Sequence, residues 1–335
     1  MTAERNSDGN PSTKDSGDGF PASRLLRLSP RVPNWRWPVI LFGLSCVSIF
    51  FVGVCRWFPS DALELLMAGD SVGVTPADQF GLRLRIAVLE YGGDALIYTA
   101  CLLAILGTHE MGHFLMSLYY RVPASFPFFL PLPISPIGTL GAVIAMDGRR
   151  ADRREIFDIG LAGPLAGLCV AFPVLWYGVT QLNLADPAAG AFALDMPLAL
   201  RWMIKQQGLQ LVGKVPGLGQ NHLNPYLMAG WVGLLVTGLN MLPVSQLDGG
   251  HVIHGLFGRS SRYIANGFML LAIIYIIATD SYTWVVMMIL LIMMGPTHPP
   301  TRDDDVPLGV ARTVIGTLSL SIPILCFPLK VFLEL

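Results

Sequence analysis

The sequence predicts an all-α polytopic membrane protein, with about six to seven transmembrane helices and a small membrane-embedded β-hairpin or re-entrant segment. Three observations predict it. Only 13% of the 335 residues are charged, whereas soluble proteins carry about 25%. Hydrophobic residues make up 53%, and the mean hydropathy is +0.56. The apolar residues also gather into runs of the roughly 20 residues that a helical span requires. The net charge of −1 gives no sign of a nucleic-acid partner. The five cysteines, Cys46, Cys55, Cys101, Cys169 and Cys326, lie in or beside apolar runs without CxxC spacing. That argues against a disulfide framework and against a cysteine-based metal site.

The chain divides near residue 33. The stretch "TAERNSDGNPSTKDSGDG" is polar, mixed in charge and rich in Ser, Gly and Asp. Such a composition cannot bury a core, so residues 1–33 are expected to be a disordered cytoplasmic tail. They lack the apolar centre of a signal peptide, and their acidic residues argue against an organelle transit peptide. Residues 34–335 form the expected polytopic membrane domain. Its spans are read at 38–55, 94–118, 156–180, 225–243, two within 263–295 divided by the polar break "TDSYT", and 311–333.

Orientation follows the Lys/Arg bias of the loops. Arg24, Arg27, Arg31 and Arg36 precede the first span and place the N-terminus in the cytoplasm. Arg121, Arg149, Arg150, Arg153 and Arg154 then fall inside, as do Arg259, Arg262 and Arg302. Arg201, Lys205 and Lys214 run against the rule, in a loop expected outside. The expected setting is the cell membrane, crossed several times. Residues 123–137, "PASFPFFLPLPISPI", hold five prolines and cannot form a regular helix. "GTLGAVIAM", residues 138–146, is apolar but too short to span. A strand or re-entrant hairpin is expected, because irregular backbone at membrane depth must be surrounded by protein or a water-filled cavity.

The second span contains "GTHEMGHFL", residues 107–115. His109 and His113 are spaced i, i+4, so a helix presents both imidazoles on one face. That spacing suits a Zn²⁺ ion held by two nitrogens at about 2.0–2.1 Å. Glu110 can reach a metal-bound water without binding the metal, which is the HExxH arrangement with Glu as general base. With average residue usage the pattern arises by chance about once in a hundred chains of this length. Ionisable residues at membrane depth are costly and are kept mainly for function. A catalytic zinc needs a third protein ligand and one open position. His222 lies in the outside loop and His298 in a Pro-rich loop. The remaining cluster is "NMLPVSQLDGGHVIHG", residues 240–255, with Asp248, His251 and His254. Gly249 and Gly250 allow a sharp turn that aims Asp248 at the metal. A helix cap is the other reading of Asp248, and His251 is the rival ligand.

HEMGH in an apolar helix, followed far downstream by "NMLPVSQLDGG", resembles the site-2 protease family of intramembrane zinc metalloproteases, which carry HExxH and N-x-x-P-x-x-x-L-D-G on two core helices. "GTLGAVIAM" and "FDIGLAGPLAG" are also similar to that family, nearest its chloroplast-type and bacterial homologues. The resemblance covers residues 94–260. It implies that His109, His113 and Asp248 hold one zinc per chain and that Glu110 is the catalytic base. It also implies that Asn240 lines the active site and helps hold the substrate backbone or the developing oxyanion; a helix–helix hydrogen bond is the other reading. Gly163 and Gly167 form a small-xxx-small face, read as helix packing. No PDZ-like domain is evident.

The implied activity is hydrolysis of peptide bonds within or next to transmembrane segments of single-span membrane-protein substrates. The active site is expected inside the lipid bilayer, toward the cytoplasmic face. A substrate helix must unwind before attack, and a strand edge at 138–146 would hold the unwound segment by β-augmentation. The other reading of 138–146 is a plug in the core. Two alternative classes use the same ligands. A metal-ion transporter would carry repeated polar motifs in several spans. A catalytically inactive membrane-protein-binding homologue is countered by the intact motif residues.

Overall fold

The computed structural model describes residues 35–59, 76–190, 192–210, 217–244 and 246–334, so the expected tail lies outside the described residues. The chain begins with helices α1 (Arg36–Val54) and α2 (Pro76–Tyr119), then strands β1 (Phe128–Leu132) and β2 (Gly138–Val143). Helix α3 (Arg153–Thr180), strand β3 (Phe192–Asp195), helix α4 (Leu198–Gln206) and strand β4 (Gly217–Gly219) follow. Next come α5 (Pro225–Asn240), α6 (Asp248–Phe257), α7 (Ser261–Thr279), α8 (Val285–Met294), α9 (Val310–Ser319), α10 (Ile322–Cys326) and strand β5 (Phe332–Glu334).

Among the described residues, four helical stretches are long and apolar enough to cross a membrane: Arg36–Val54, Gly81–Tyr119, Arg153–Thr180 and Asp248–Thr279. The last joins α6 to α7 through the 3-10 turn Gly258–Ser260. Helix α5, expected to span, has 16 residues and falls short of that length, as do the apolar stretches Tyr282–Met294 and Val310–Cys326. Large apolar side chains stand exposed along α1, α2 and α7, among them Val47, Leu89, Leu96, Leu270, Leu271 and Ile277. Exposed apolar surface on this scale marks a membrane-type helical protein.

Local chemistry fixes the helix ends. Asp152 accepts hydrogen bonds from Arg154 N and Glu155 N at 2.9 Å, and Glu155 Oε2 accepts from Asp152 N at 2.8 Å, a capping box that starts α3. Asn224 caps α5 by accepting from Leu227 N at 2.8 Å, with Pro225 at the first helical position. Its amide also donates to Gly178 O at 2.9 Å, which ties the start of α5 to α3. Helix α3 carries Pro164 and Pro173 in its interior. Helix α2 starts well before the expected span. Residues 82–90 are mostly strong helix formers, so the helix includes part of what was expected to be the connection between the spans at 38–55 and 94–118.

Helix α5 is the centre of the core. Leu227, Met228, Val232 and Leu234 are buried against Leu102 and Ile105 of α2 and Ala171 and Leu175 of α3. Between apolar helices in lipid the close packing itself carries the association, since lipid tails are as apolar as leucine. The segment 123–146 folds as an antiparallel β1–β2 hairpin, in which Phe128 pairs with Val143 and Leu132 with Gly138. The register shifts between Phe129 and Pro131, where proline cannot donate to the ladder. The hairpin is pinned to α1 and α2: Ser48 Oγ donates to Gly138 O at 2.6 Å and Tyr98 OH to Ile137 O at 3.0 Å.

Two regions depart from the sequence reading. The loop between α3 and α5 supplies β3 and β4 to a three-stranded sheet of order β4–β3–β5. Arg201, which runs against the charge rule, is neutralised there by Asp195 at 2.9 Å. The stretch 311–333 is not one helix: Pro323 lies at the opening of α10 and divides it from α9, Pro328 follows the end of α10, and β5 pairs antiparallel with β3. Between α8 and α9 the chain forms a strap. Arg302 N donates to Ala151 O at 2.8 Å and Arg153 N to Asp303 O at 3.0 Å. The Arg153 guanidinium in turn donates to Gly255 O and Leu256 O, joining strap, α3 and the end of α6.

Candidate metal centre

His109, Glu110 and His113 lie on α2, with Glu110 next to the first histidine and both histidines one turn apart. Asp248 opens α6, directly after the turn that ends α5. Their donor atoms converge. Asp248 Oδ2 is 3.3 Å from His109 Nε2 and 3.3 Å from His113 Nε2, and the two Nε2 atoms are 3.2 Å apart. These are the three residues, among those described, whose ligand atoms cluster tightly enough to hold a metal ion.

The tautomer of His113 follows from its other nitrogen. Nδ1 lies 2.7 Å from the Ile159 carbonyl, which can only accept, so Nδ1 carries the proton and neutral His113 presents a bare Nε2. Asp248 Oδ2 is buried without a hydrogen-bond donor among the described residues. Lone pairs aimed at one another at 3.2–3.3 Å repel unless a cation lies between them. A tetrahedral ion with bonds of about 2.0–2.1 Å holds its donors about 3.3 Å apart, so the residues fit a zinc ion. His251 does not join this triangle; its Nδ1 is 2.7 Å from His298 Nε2. Nor does Asp248 act as a cap: it is the first residue of α6, and Leu247 precedes it without a side-chain cap bond.

Asn240, the last residue of α5, places its amide nitrogen 3.2 Å from His109 Nε2, so it reaches the edge of the same centre. Glu110 is 6% exposed and has no hydrogen-bond partner among the described residues. It shares a cavity of about 350 Å³ with the three candidate ligands, Asn240, His251 and Ala142 and Val143 of β2. The cavity therefore holds a carboxylate free to take a proton beside the place a metal would occupy.

Three glycines do other work than the sequence suggested. Gly163 is more than a packing residue: a Cβ there would lie 2.0 Å from His113 Nε2, the candidate ligand atom itself. Gly167 faces His109, with a Cβ coming within 3.1 Å of its ring. The G-x-x-x-G spacing was the visible signal, but it gave helix packing rather than the imidazoles that the groove houses. Gly249 lies inside the first turn of α6, where a Cβ would meet the Met241 carbonyl at 2.1 Å. It permits close approach of α6 to the end of α5 rather than a sharp turn.

The sequence model of Peptidase family M50 matches residues 97–278, more than half of the chain. The sequence is also similar to a probable zinc metalloprotease EGY1, chloroplastic, of Oryza sativa subsp. japonica, 31% identical over 257 residues, covering 71% of this chain and 42% of that protein. The EGY1 counterpart of Arabidopsis thaliana is 33% identical over 226 residues, 59% of this chain and 39% of its own length. A probable zinc metalloprotease EGY2, chloroplastic, of Arabidopsis thaliana is 28% identical over 281 residues, 82% of this chain and 46% of that protein. The chain thus spans less than half the length of these curated relatives.

Proposed function

The chain belongs to peptidase family M50, the site-2 protease family, and on that premise we propose that it is a zinc-dependent endopeptidase cutting peptide bonds within or next to transmembrane segments of single-span membrane proteins. The observation that carries this reading is the triangle of His109 Nε2, His113 Nε2 and Asp248 Oδ2, with sides of 3.2–3.3 Å, beside the buried Glu110. His109, His113 and Asp248 would hold one zinc per chain, which would supply Lewis acidity at this place. Glu110 accepts the proton that the attacking water loses and delivers it to the leaving amine nitrogen. The Asn240 amide, at the edge of the centre, is placed to donate to the oxygen that gains charge as water attacks.

Strand β2 supports the substrate side of the reading. Among the described residues it pairs on one side only, with β1, and its Ala142 and Val143 line the metal cavity. An unwound segment leaves N–H and C=O groups that cost several kcal/mol each in a low-dielectric site. The open edge of β2 satisfies them and holds the carbonyl near the ligands. We place the protein in the cell membrane with its N-terminus cytoplasmic and its site toward that face, from the arginine distribution. Helix α5 and the shorter stretches Tyr282–Met294 and Val310–Cys326 join the four long helices to make seven crossings.

The test is metal analysis of the purified protein paired with cleavage of a single-span substrate by wild type and Glu110→Gln. Zinc at one per chain in both, with cleavage lost only in the variant, is the expected result. A Glu110→Gln protein that retains full function would instead favour a transporter or an inactive binding homologue.

A further inference from the structure

The metal cavity has a wall that the hydrolytic machinery does not use. His251 lines that cavity, one helical turn beyond Asp248 on α6. It is held from outside the region matched by the family model, which ends at residue 278. His298 comes from the strap, which turns away from α8 at Gly295, where φ is +78°. Its Nε2 lies 2.7 Å from His251 Nδ1 and its Nδ1 lies 2.6 Å from the carbonyl of Pro299. The His298 ring also stacks on His254 at 4.1 Å between centroids and 6° between planes. His254 is fixed in turn by Asp304 at 2.9 Å, and Asp304 by Thr301 at 2.7 Å.

The proton positions follow in order. The Pro299 carbonyl can only accept, so His298 Nδ1 carries hydrogen. Burial against the neighbouring rings pushes the His298 imidazole down to about 3, so the ring is neutral and its Nε2 is a bare acceptor. His251 Nδ1 must therefore donate to it, and neutral His251 is left with an unprotonated Nε2 as its remaining polar atom. A strap residue thus selects one tautomer of a cavity-wall histidine.

We propose that His251 is a substrate-binding residue, accepting through Nε2 a main-chain N–H of the unwound peptide, and that His298 is the positioning residue that holds it in the accepting tautomer. The inference rests on the proteolytic reading above. An extended peptide exposes N–H groups on both of its edges. The open edge of β2 serves one edge, and the opposite one needs an acceptor at the same depth. His251 and β2 line the same cavity. Since this contact exists before and during bond cleavage, it contributes to binding rather than to the chemical step.

The experiment measures KM, kcat and zinc content with an internally quenched synthetic peptide carrying one apolar segment, in detergent micelles. His298→Phe keeps a ring to stack on His254 but removes the acceptor, and KM should rise about tenfold with kcat and zinc unchanged. His298→Gln supplies an oxygen acceptor and should restore KM. Binding of the same peptide to the Glu110→Gln protein, read by fluorescence anisotropy, should weaken by the same factor when His298→Phe is added. An unchanged KM overturns the proposal, and so does a kcat that falls in step with zinc while KM holds, the signature of a merely structural strap. If His298→Phe does not fold, His251→Gln and His251→Leu carry the test, with KM near wild type for Gln and raised for Leu. A zinc-loaded wild-type protein that leaves the peptide whole counts against the proteolytic reading and takes this inference with it. A cleaving wild type with an indifferent His298→Phe overturns this inference alone.

Discussion

Replacing Gly163 by Ala separates a packing groove from a ligand groove. The added methyl would lie 2.0 Å from His113 Nε2. Non-bonded contact requires about 3.5 Å, so one of the two atoms must retreat by about 1.5 Å. Helix α3 cannot easily supply that shift, because its start is fixed by the Asp152–Glu155 capping box and its middle by contact with α5. The imidazole cannot swing freely either, since its Nδ1 is tied to Ile159 O at 2.7 Å. Ligand positions tolerate only about 0.2 Å, so His113 is lost to the metal. Disturbing a group that merely orients a ligand already costs roughly 10- to 100-fold in metal affinity, and this change should cost at least as much. Gly167→Ala is the internal control: its nearest contact to His109 is 3.1 Å, which a few tenths of an ångström of movement relieves. Zinc affinity measured by chelator competition should therefore fall steeply for Gly163→Ala and little for Gly167→Ala. Equal affinities in the two variants and wild type would refute the argument.

Three further outcomes are expected. Asp248→Ala should drop zinc well below one per chain while His251→Gln retains it; the reverse pattern by metal analysis would mean the third ligand is misassigned. Val143→Pro removes an N–H from β2 and fixes φ, so cleavage should fall with zinc retained, and wild-type cleavage would exclude the strand from presenting substrate. Asp152→Ala removes the capping box of α3 and should cost about 1 kcal/mol, seen as a lowered unfolding temperature in detergent; no shift would show that the Arg302 contacts hold α3 without it.

The centre was legible because its chemistry is local. His109, Glu110 and His113 need only a helix to share a face, and Asp248 follows a short turn after Asn240. The strap was not legible, because His298 meets His251 through a path set by Gly295 and by arginine bonds to distant carbonyls. No periodicity records such a path. The same holds for the three-stranded sheet: β5 was read as the end of an apolar helix, and although Pro328 could have marked where the helical run stops, nothing in the sequence shows that the chain beyond it pairs with β3. Gly163 was visible as part of a spacing, but a glycine reports only that something is near, not whether it is backbone or a candidate metal ligand.

Pro164 gives α3 a property beyond its shape. A proline has no N–H, so the carbonyl of Gly160, four residues earlier, lacks the donor that a continuous helix would supply. Gly160 belongs to the wall of the metal cavity. An orphaned carbonyl facing hydrocarbon is costly, whereas one beside a polar cavity can be satisfied by water. The helix that walls the candidate centre therefore offers water an acceptor beside the cavity, at the residue whose partner in the helical ladder the proline removes.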